Sequence, residues 1–121
     1  MIISFYFMNI YFACKKFPIN QVLKCSFGLS STEFEVLKML LKYDELSVQE
    51  IADKLGKDRT TIQRAIRPLI EKNLVKRKQY NLEGGGYQYY YIPVDKAEIK
   101  KRIKENFNNF TEKVLEEIER W

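Results

Sequence analysis

The 121-residue sequence predicts a mainly α-helical fold with one small β-hairpin and a long C-terminal helix, working as a dimer. Three observations predict it. Two short helices with apolar stripes flank Gly56 and follow a longer supporting helix, which is the tri-helical arrangement of a helix-turn-helix. Two tyrosine-rich and β-branched segments then flank Gly84-Gly85-Gly86, the pattern of a hairpin. Beyond Pro93, apolar residues recur at near-heptad spacing to the last residue. The class is a winged helix-turn-helix, with an apolar N-terminal arm or strand over 1–18, the winged domain over 19–93 and the C-terminal helix over 94–121.

The opening stretch, MIISFYFMNIYFA, is strongly apolar but too short to span a bilayer, and no basic run precedes it as in a secretory signal. It reads as a strand, a partner-facing arm, or an extension upstream of an alternative start at Met8; no membrane attachment is expected. Pro18 suits the first position of a short helix, and Gly28 suits its end. In the next helix Ser31 or Thr32 is placed to cap, with Phe34, Leu37 and Leu41 at helical spacing. Tyr43, Asp44 and Glu45 break that pattern.

Ser47-Val48-Gln49-Glu50 has the form of a capping box, in which Ser47 and Glu50 satisfy each other's backbone amides. Val48, Ile51, Ala52 and Leu55 form the stripe behind it, and Gly56 supplies a left-handed terminus. Asp58 is placed to cap the next helix, whose buried face is Ile62, Ala65, Ile66, Leu69 and Ile70. Pro68 removes an amide and crowds the carbonyl of Arg64, so a kink or an end near Arg67 is expected. Leu74–Tyr80 and Tyr87–Ile92 read as strands, and Asp95 as the cap of the final helix. The seam of that helix is Ile99, Ile103, Phe107, Phe110, Val114, Ile118 and Trp121. It packs on its own domain or on a second copy.

Composition narrows the chemistry. Hydrophobic residues make up 45% and charged residues 31%, as in an ordinary globular chain. His is absent, and the only cysteines, Cys14 and Cys25, form no CxxC or Cys/His cluster. No metal and no cofactor are expected, and the thiols are expected to be reduced in a cytoplasmic protein. An enzyme is not expected either, for there is no phosphate loop, nucleophile elbow or clustered carboxylate pair.

Charge is the informative property. Residues 47–80 hold nine Lys and Arg against four Asp and Glu, whereas the rest of the chain holds twelve of each. That segment therefore carries the whole net charge of +5, the footprint of a surface that meets nucleic-acid phosphate. On the helix after Asp58, the face opposite the apolar stripe carries Arg59, Thr60, Gln63, Arg64 and Arg67, with Thr61 at its edge. No acid interrupts it before Glu71. Arg reads guanine edges, Gln adenine edges, and Thr a phosphate or a thymine methyl. Thr60, Gln63 and Arg64 are the candidate base readers, and Arg59 and Arg67 the candidate phosphate clamps. Lys76, Arg77 and Lys78 on the first strand of the hairpin are candidates for backbone or minor-groove contact. Tyr80, Tyr87, Tyr89, Tyr90 and Tyr91 could stack bases, but packing across the hairpin is the favoured reading.

From Phe27-Gly28-Leu29-Ser30 to Pro93 the chain resembles archaeal winged-helix regulators of the TrmB type, which are close to the MarR-like proteins. The resemblance is carried by Thr32-Glu33-Phe34-Glu35-Val36-Leu37, Ser47-Val48-Gln49-Glu50-Ile51-Ala52 and Asp58-Arg59-Thr60-Thr61-Ile62-Gln63-Arg64-Ala65. It continues through Leu69-Ile70-Glu71-Lys72-Asn73-Leu74-Val75 and Gly84-Gly85-Gly86-Tyr87. It implies a transcriptional regulator that binds double-stranded DNA as a homodimer, with the third helix in the major groove and the wing beside it. Those roles fall on Arg59, Thr60, Thr61, Gln63, Arg64 and Arg67, with Lys76, Arg77 and Lys78 on the wing. Dimerisation is expected through the C-terminal helix, with the N-terminal segment contributing. No counterpart of the C-terminal effector domain of TrmB-type proteins is present, so sugar sensing is not part of the expectation. Two alternatives stay open: a protein-interaction module of a larger assembly, and a chromatin-like protein that coats DNA.

Overall fold

Local signals in the chain explain most of the element boundaries. A computed structural model describes residues 9–13 and 15–121. In order these form β1 (Asn9–Phe12), β2 (Lys15–Pro18), α1 (Ile19–Phe27), α2 (Ser31–Tyr43), α3 (Val48–Leu55) and α4 (Arg59–Glu71). There follow β3 (Val75–Asn81), β4 (Tyr87–Pro93) and α5 (Lys96–Arg120). They fall into two units, one of residues 30–100 and one joining residues up to 29 with residues 101–121.

In the first unit, α2, α3 and α4 pack around one core, and β3 and β4 pair antiparallel as the wing. Leu40, Ile51, Ile62, Leu69 and Leu74 are its largest fully buried side chains. Leu46 joins the free edge of β4, exchanging two backbone hydrogen bonds with Tyr91 at 3.1 and 2.8 Å. That third short segment ties the wing to the start of α3.

The caps divide between expectation and correction. Ser47 accepts from the Glu50 amide at 3.2 Å and its own amide donates to the Glu50 carboxylate at 3.1 Å, completing the capping box. Gly28 and Gly56 end α1 and α3 in the left-handed region, at φ 65° and 64°. The cap of α2, however, is Ser30 rather than Ser31 or Thr32. Ser30 accepts from the Glu33 amide at 3.2 Å, and its hydroxyl donates to the Glu33 carboxylate at 2.8 Å. Pro18 likewise sits one position before the helix, with an extended ψ of 139°.

Pro68 neither ends nor shortens α4, which continues to Glu71. The core explains the difference. Leu69 and Leu74 are both 0% exposed, and burying two such side chains outweighs the ~3 kcal/mol that an internal proline costs. The turn beyond is closed by the Lys72 amide to the Pro68 carbonyl and the Leu74 amide to the Leu69 carbonyl, each at 2.9 Å. Relative to the expected bounds, β3 is shifted by one residue and β4 is one residue longer at its end. Pro93 ends β4 opposite Val75, a ladder end where a missing amide is tolerated.

In the second unit β1 and β2 pair antiparallel, with Asn9 opposite Pro18, and β2 packs on α1. Residues 1–8 of the expected arm and Cys14 lie outside the described residues. Cys25 is a free, exposed thiol. Asn106 of α5 donates its side-chain amide to the Ser26 carbonyl at 3.0 Å, and the Arg102 guanidinium lies 5.3 Å from the Phe27 ring centre. The α5 seam starts buried at Ile99 but is exposed from Phe107 onward, Phe110 at 65% and Ile118 at 54%.

Two predictions concern the caps. Ser47→Ala is expected to lower stability by about 1 kcal/mol, read from chemical denaturation, because the Glu50 amide loses its acceptor. Asp58 accepts from the Thr61 amide at 3.0 Å. Hydrogen bonds from the Thr61 hydroxyl and then its amide hold the Asp58 carboxyl below its ordinary 3.8, with Arg64 adding attraction. A carboxyl lowered in the folded chain stabilises it above 3.8 and loses that effect as acid carries the pH down through the lower folded value. The difference in unfolding midpoint between wild type and Asp58→Ala is therefore expected to be full at neutral pH and to shrink in that acid window.

Candidate nucleic-acid interface

The α4 helix sorts its residues by the core they serve. Ile62 and Leu69 are 0% exposed, and Ala65 and Ile66 are buried beside them against α2 and α3. At 3.6 residues per turn, that seating turns the opposite side outward. Arg59, Thr60, Gln63, Arg64 and Arg67 are all exposed, and Thr61 is half-buried. Thr61 also supports the Asp58 cap, which makes it an edge residue. Among the described residues no carboxylate forms an ion pair with these arginines; Arg120–Glu117 at the end of α5 is a remote pair.

The turn from α3 to α4 sets where that face begins. The Lys57 amide reaches back to the Ala52 carbonyl at 3.0 Å, and Asp58 then caps α4. Arg59 thus stands at the first helical position, beside the start of α3. Backbone amides at such termini favour anions.

The three basic residues of the wing do not act as one face. Successive strand residues point to opposite sides. Arg77 pairs in register with Tyr91, and Gln79 with Tyr89. Lys76 and Lys78 share the other side with Ile92 and Tyr90. All three bases are exposed, but their neighbours differ. Arg77 stacks its guanidinium 4.2 Å from the Tyr89 ring centre, within cation–π range. The Lys78 ammonium lies 4.9 Å from the Tyr80 ring, and a hydrogen bond with Tyr80 holds its pKa above the ordinary lysine value. Tyr80 in turn donates to the Glu45 carboxylate at 2.7 Å and meets Tyr90 edge-on at 5.2 Å. Lys78 is therefore engaged with a local cluster, whereas Arg77 stands on the side that carries the odd-numbered tyrosines.

Those tyrosines were expected to pack across the hairpin. Tyr80 and Tyr90 do so, and Tyr91 is buried. Tyr87 and Tyr89 instead pack along one strand, with ring centres 5.1 Å apart, and Tyr87 is 57% exposed. With Gln88 and Tyr91 they wall a cleft of about 250 Å³ whose other walls are Arg59 and Gln63 of α4 and Ser47 and Val48 of α3. Linear spacing does not bring β4 to α4. The alternation of Tyr87, Tyr89 and Tyr91 is the signal that could have grouped them on one side. Burial raises the Tyr91 phenol above its ordinary value, and Arg77 and Arg59 both pull against that rise. Two guanidiniums from two elements thus act on one phenol.

Among the described residues no cluster of His, Cys, Asp and Glu could hold a metal ion, and no helix is long and apolar enough to cross a membrane.

Comparison with known proteins agrees with this architecture. The family model described as "Sugar-specific transcriptional regulator TrmB" matches residues 23–97. An uncharacterised protein of Methanocaldococcus jannaschii is 36% identical over 109 residues, covering 88% of this chain and 83% of that protein. A solved structure described as a possible transcriptional regulator from Methanosarcina mazei superposes with a TM-score of 0.85 at 31% identity, covering 94% of this chain and 97% of that one. A MarR family transcriptional regulator from Silicibacter pomeroyi shares the fold, with a TM-score of 0.54 at 21% identity over 80% of this chain and 63% of that one. With the family model spanning more than half of the sequence and a winged helix presenting the basic face of α4, the chain belongs to the TrmB family of winged-helix transcriptional regulators.

Proposed function

We propose that the chain binds double-stranded DNA sequence-specifically as a homodimer, with α4 in the major groove and the wing along the backbone or in the adjoining minor groove. One observation carries the reading: α4 presents three arginines, a glutamine and a threonine to solvent with no acid among them, while its other side is sealed in the core. Thr60, Gln63 and Arg64 are the base readers, Arg59 and Arg67 the phosphate clamps, and Thr61 an edge contact. On the wing Arg77 stands on the side of Tyr89 and Tyr91, which line the cleft against α4, and Lys76 and Lys78 offer contacts from the other side.

The dimer reading rests on α5. Phe107, Phe110, Val114, Ile118 and Trp121 are exposed in the single chain and follow one near-heptad seam. Leaving that many large apolar side chains wet is unfavourable, and a second copy with the same seam buries them symmetrically. A two-fold pair of winged helices then reads half-sites whose centres lie about 34–36 Å apart. The N-terminal segment is a further candidate contributor to the same interface.

In vitro selection from random duplexes, followed by binding titrations, tests the DNA reading. Arg64→Ala is expected to cost ~1–3 kcal/mol on the selected duplex and to relax preference at one base pair. Equal losses on selected and random duplex would move Arg64 to the backbone. No duplex binding by the wild type at moderate salt would leave α4 as a protein-docking face. Phe110→Glu is expected to raise the dimer dissociation constant roughly a hundred-fold or more in sedimentation equilibrium, since an unpaired carboxylate buried in a seam costs several kcal/mol. Unchanged self-association would remove α5 from the interface.

A further inference from the structure

Of the residues that line the cleft between the wing and α4, only Gln63 is assigned to base reading. Arg59 and Gln63 of α4 stand on one side of it, and Tyr87 and Tyr89 of β4 on the other. No carboxylate lines it. A second guanidinium, that of Arg77, is stacked on the Tyr89 wall at 4.2 Å. Arg77 pairs in register with Tyr91, on the side of the hairpin that lines the cleft, while Arg59 belongs to the wall opposite. At about 250 Å³, the cleft has room for several groups the size of a water molecule, which takes about 30 Å³ in the liquid. A phosphodiester with its flanking sugar carbons is of that order.

We infer that this cleft seats a single phosphodiester of the DNA backbone, held jointly by Arg59 from α4 and Arg77 from β3. The inference rests on the duplex reading above and deepens it. A helix in the major groove and a wing beside it must have one strand of backbone passing between them, and the cleft is the surface between them. Two guanidiniums presented by separate elements grip one phosphate in a fixed geometry, which sets the register of α4 on the bases. Tyr89 holds Arg77 in place by stacking, which reduces the side-chain freedom lost on binding. The grip carries no sequence information of its own.

The salt dependence of binding to a random-sequence duplex tests this, because the slope of log affinity against log salt counts the phosphates neutralised, about 0.9 for each. Arg59→Gln, Arg77→Gln and the double variant are compared with wild type. If both arginines share one phosphate, the double variant loses about 0.9 from the slope and neither single variant loses more than that. Two separate phosphates give losses of about 0.9 each and about 1.8 together, and overturn the shared seat. No loss in the double variant overturns it as well. Arg59→Lys and Arg77→Lys keep the charge and are expected to retain the wild-type slope, which separates a lost contact from a loosened wing. A wild-type chain that binds no duplex removes the seat together with the DNA reading, whereas additive slopes remove the seat alone.

Discussion

The seating of α4 in the core is the constraint on which the rest depends. Ile62, Ala65, Ile66 and Leu69 are buried against α2 and α3, and removing one such aliphatic side chain typically costs ~2–5 kcal/mol. Rolling the helix by half a turn would expose all four and bury guanidiniums without partners, at several kcal/mol apiece. The outward direction of Arg59, Gln63, Arg64 and Arg67 is thus enforced by residues on the other side of the helix. The same core overrides Pro68: the last turn of α4 stays helical because Leu69 and Leu74 are anchored there.

What was legible in the sequence follows the range of the interactions. The capping box of Ser47 and Glu50, the Asp58 cap and the glycine terminus at Gly56 depend on partners within four residues, and a linear reading finds them. The apolar stripe of α4 is also periodic within one element, so its exposed face follows directly. For the α2 cap the linear reading took Ser31 or Thr32, and Ser30, an equally competent residue type, holds the position. The phase of the core decides it, because Phe34 and Leu37 must point inward. The continuation of α4 through Pro68 was illegible for the same reason.

The wing shows where linear grouping misleads. Lys76, Arg77 and Lys78 look like one basic block, yet the register splits them, Arg77 opposite Tyr91 and Lys78 opposite Tyr90. Glu45 lies far away in sequence but accepts from Tyr80, so one side of the wing is occupied by a Tyr80–Tyr90–Lys78 cluster. The pairing of Leu46 with Tyr91 ties the hairpin to the segment that leads into α3. No periodicity within β3 or β4 encodes either contact. Arg77 gains its place on the Tyr89 and Tyr91 side of the wing from the same register.

Charge is partitioned along the same lines. Like charges crowd α4 and β3, and the exposed arginines of α4 form no ion pair among the described residues. Mutual repulsion therefore opposes the free fold slightly, and any polyanion laid across the surface relieves it while releasing its own counterions. The distal half of α5 follows another rule: it mixes Lys113 and Arg120 with Glu112, Glu116, Glu117 and Glu119. A seam flanked by both signs adds no cationic repulsion to the pairing proposed there. The net +5 is confined to residues 47–80, and the rest of the chain is balanced. The proposed pairing and the proposed DNA contact thus draw on different segments of one short chain.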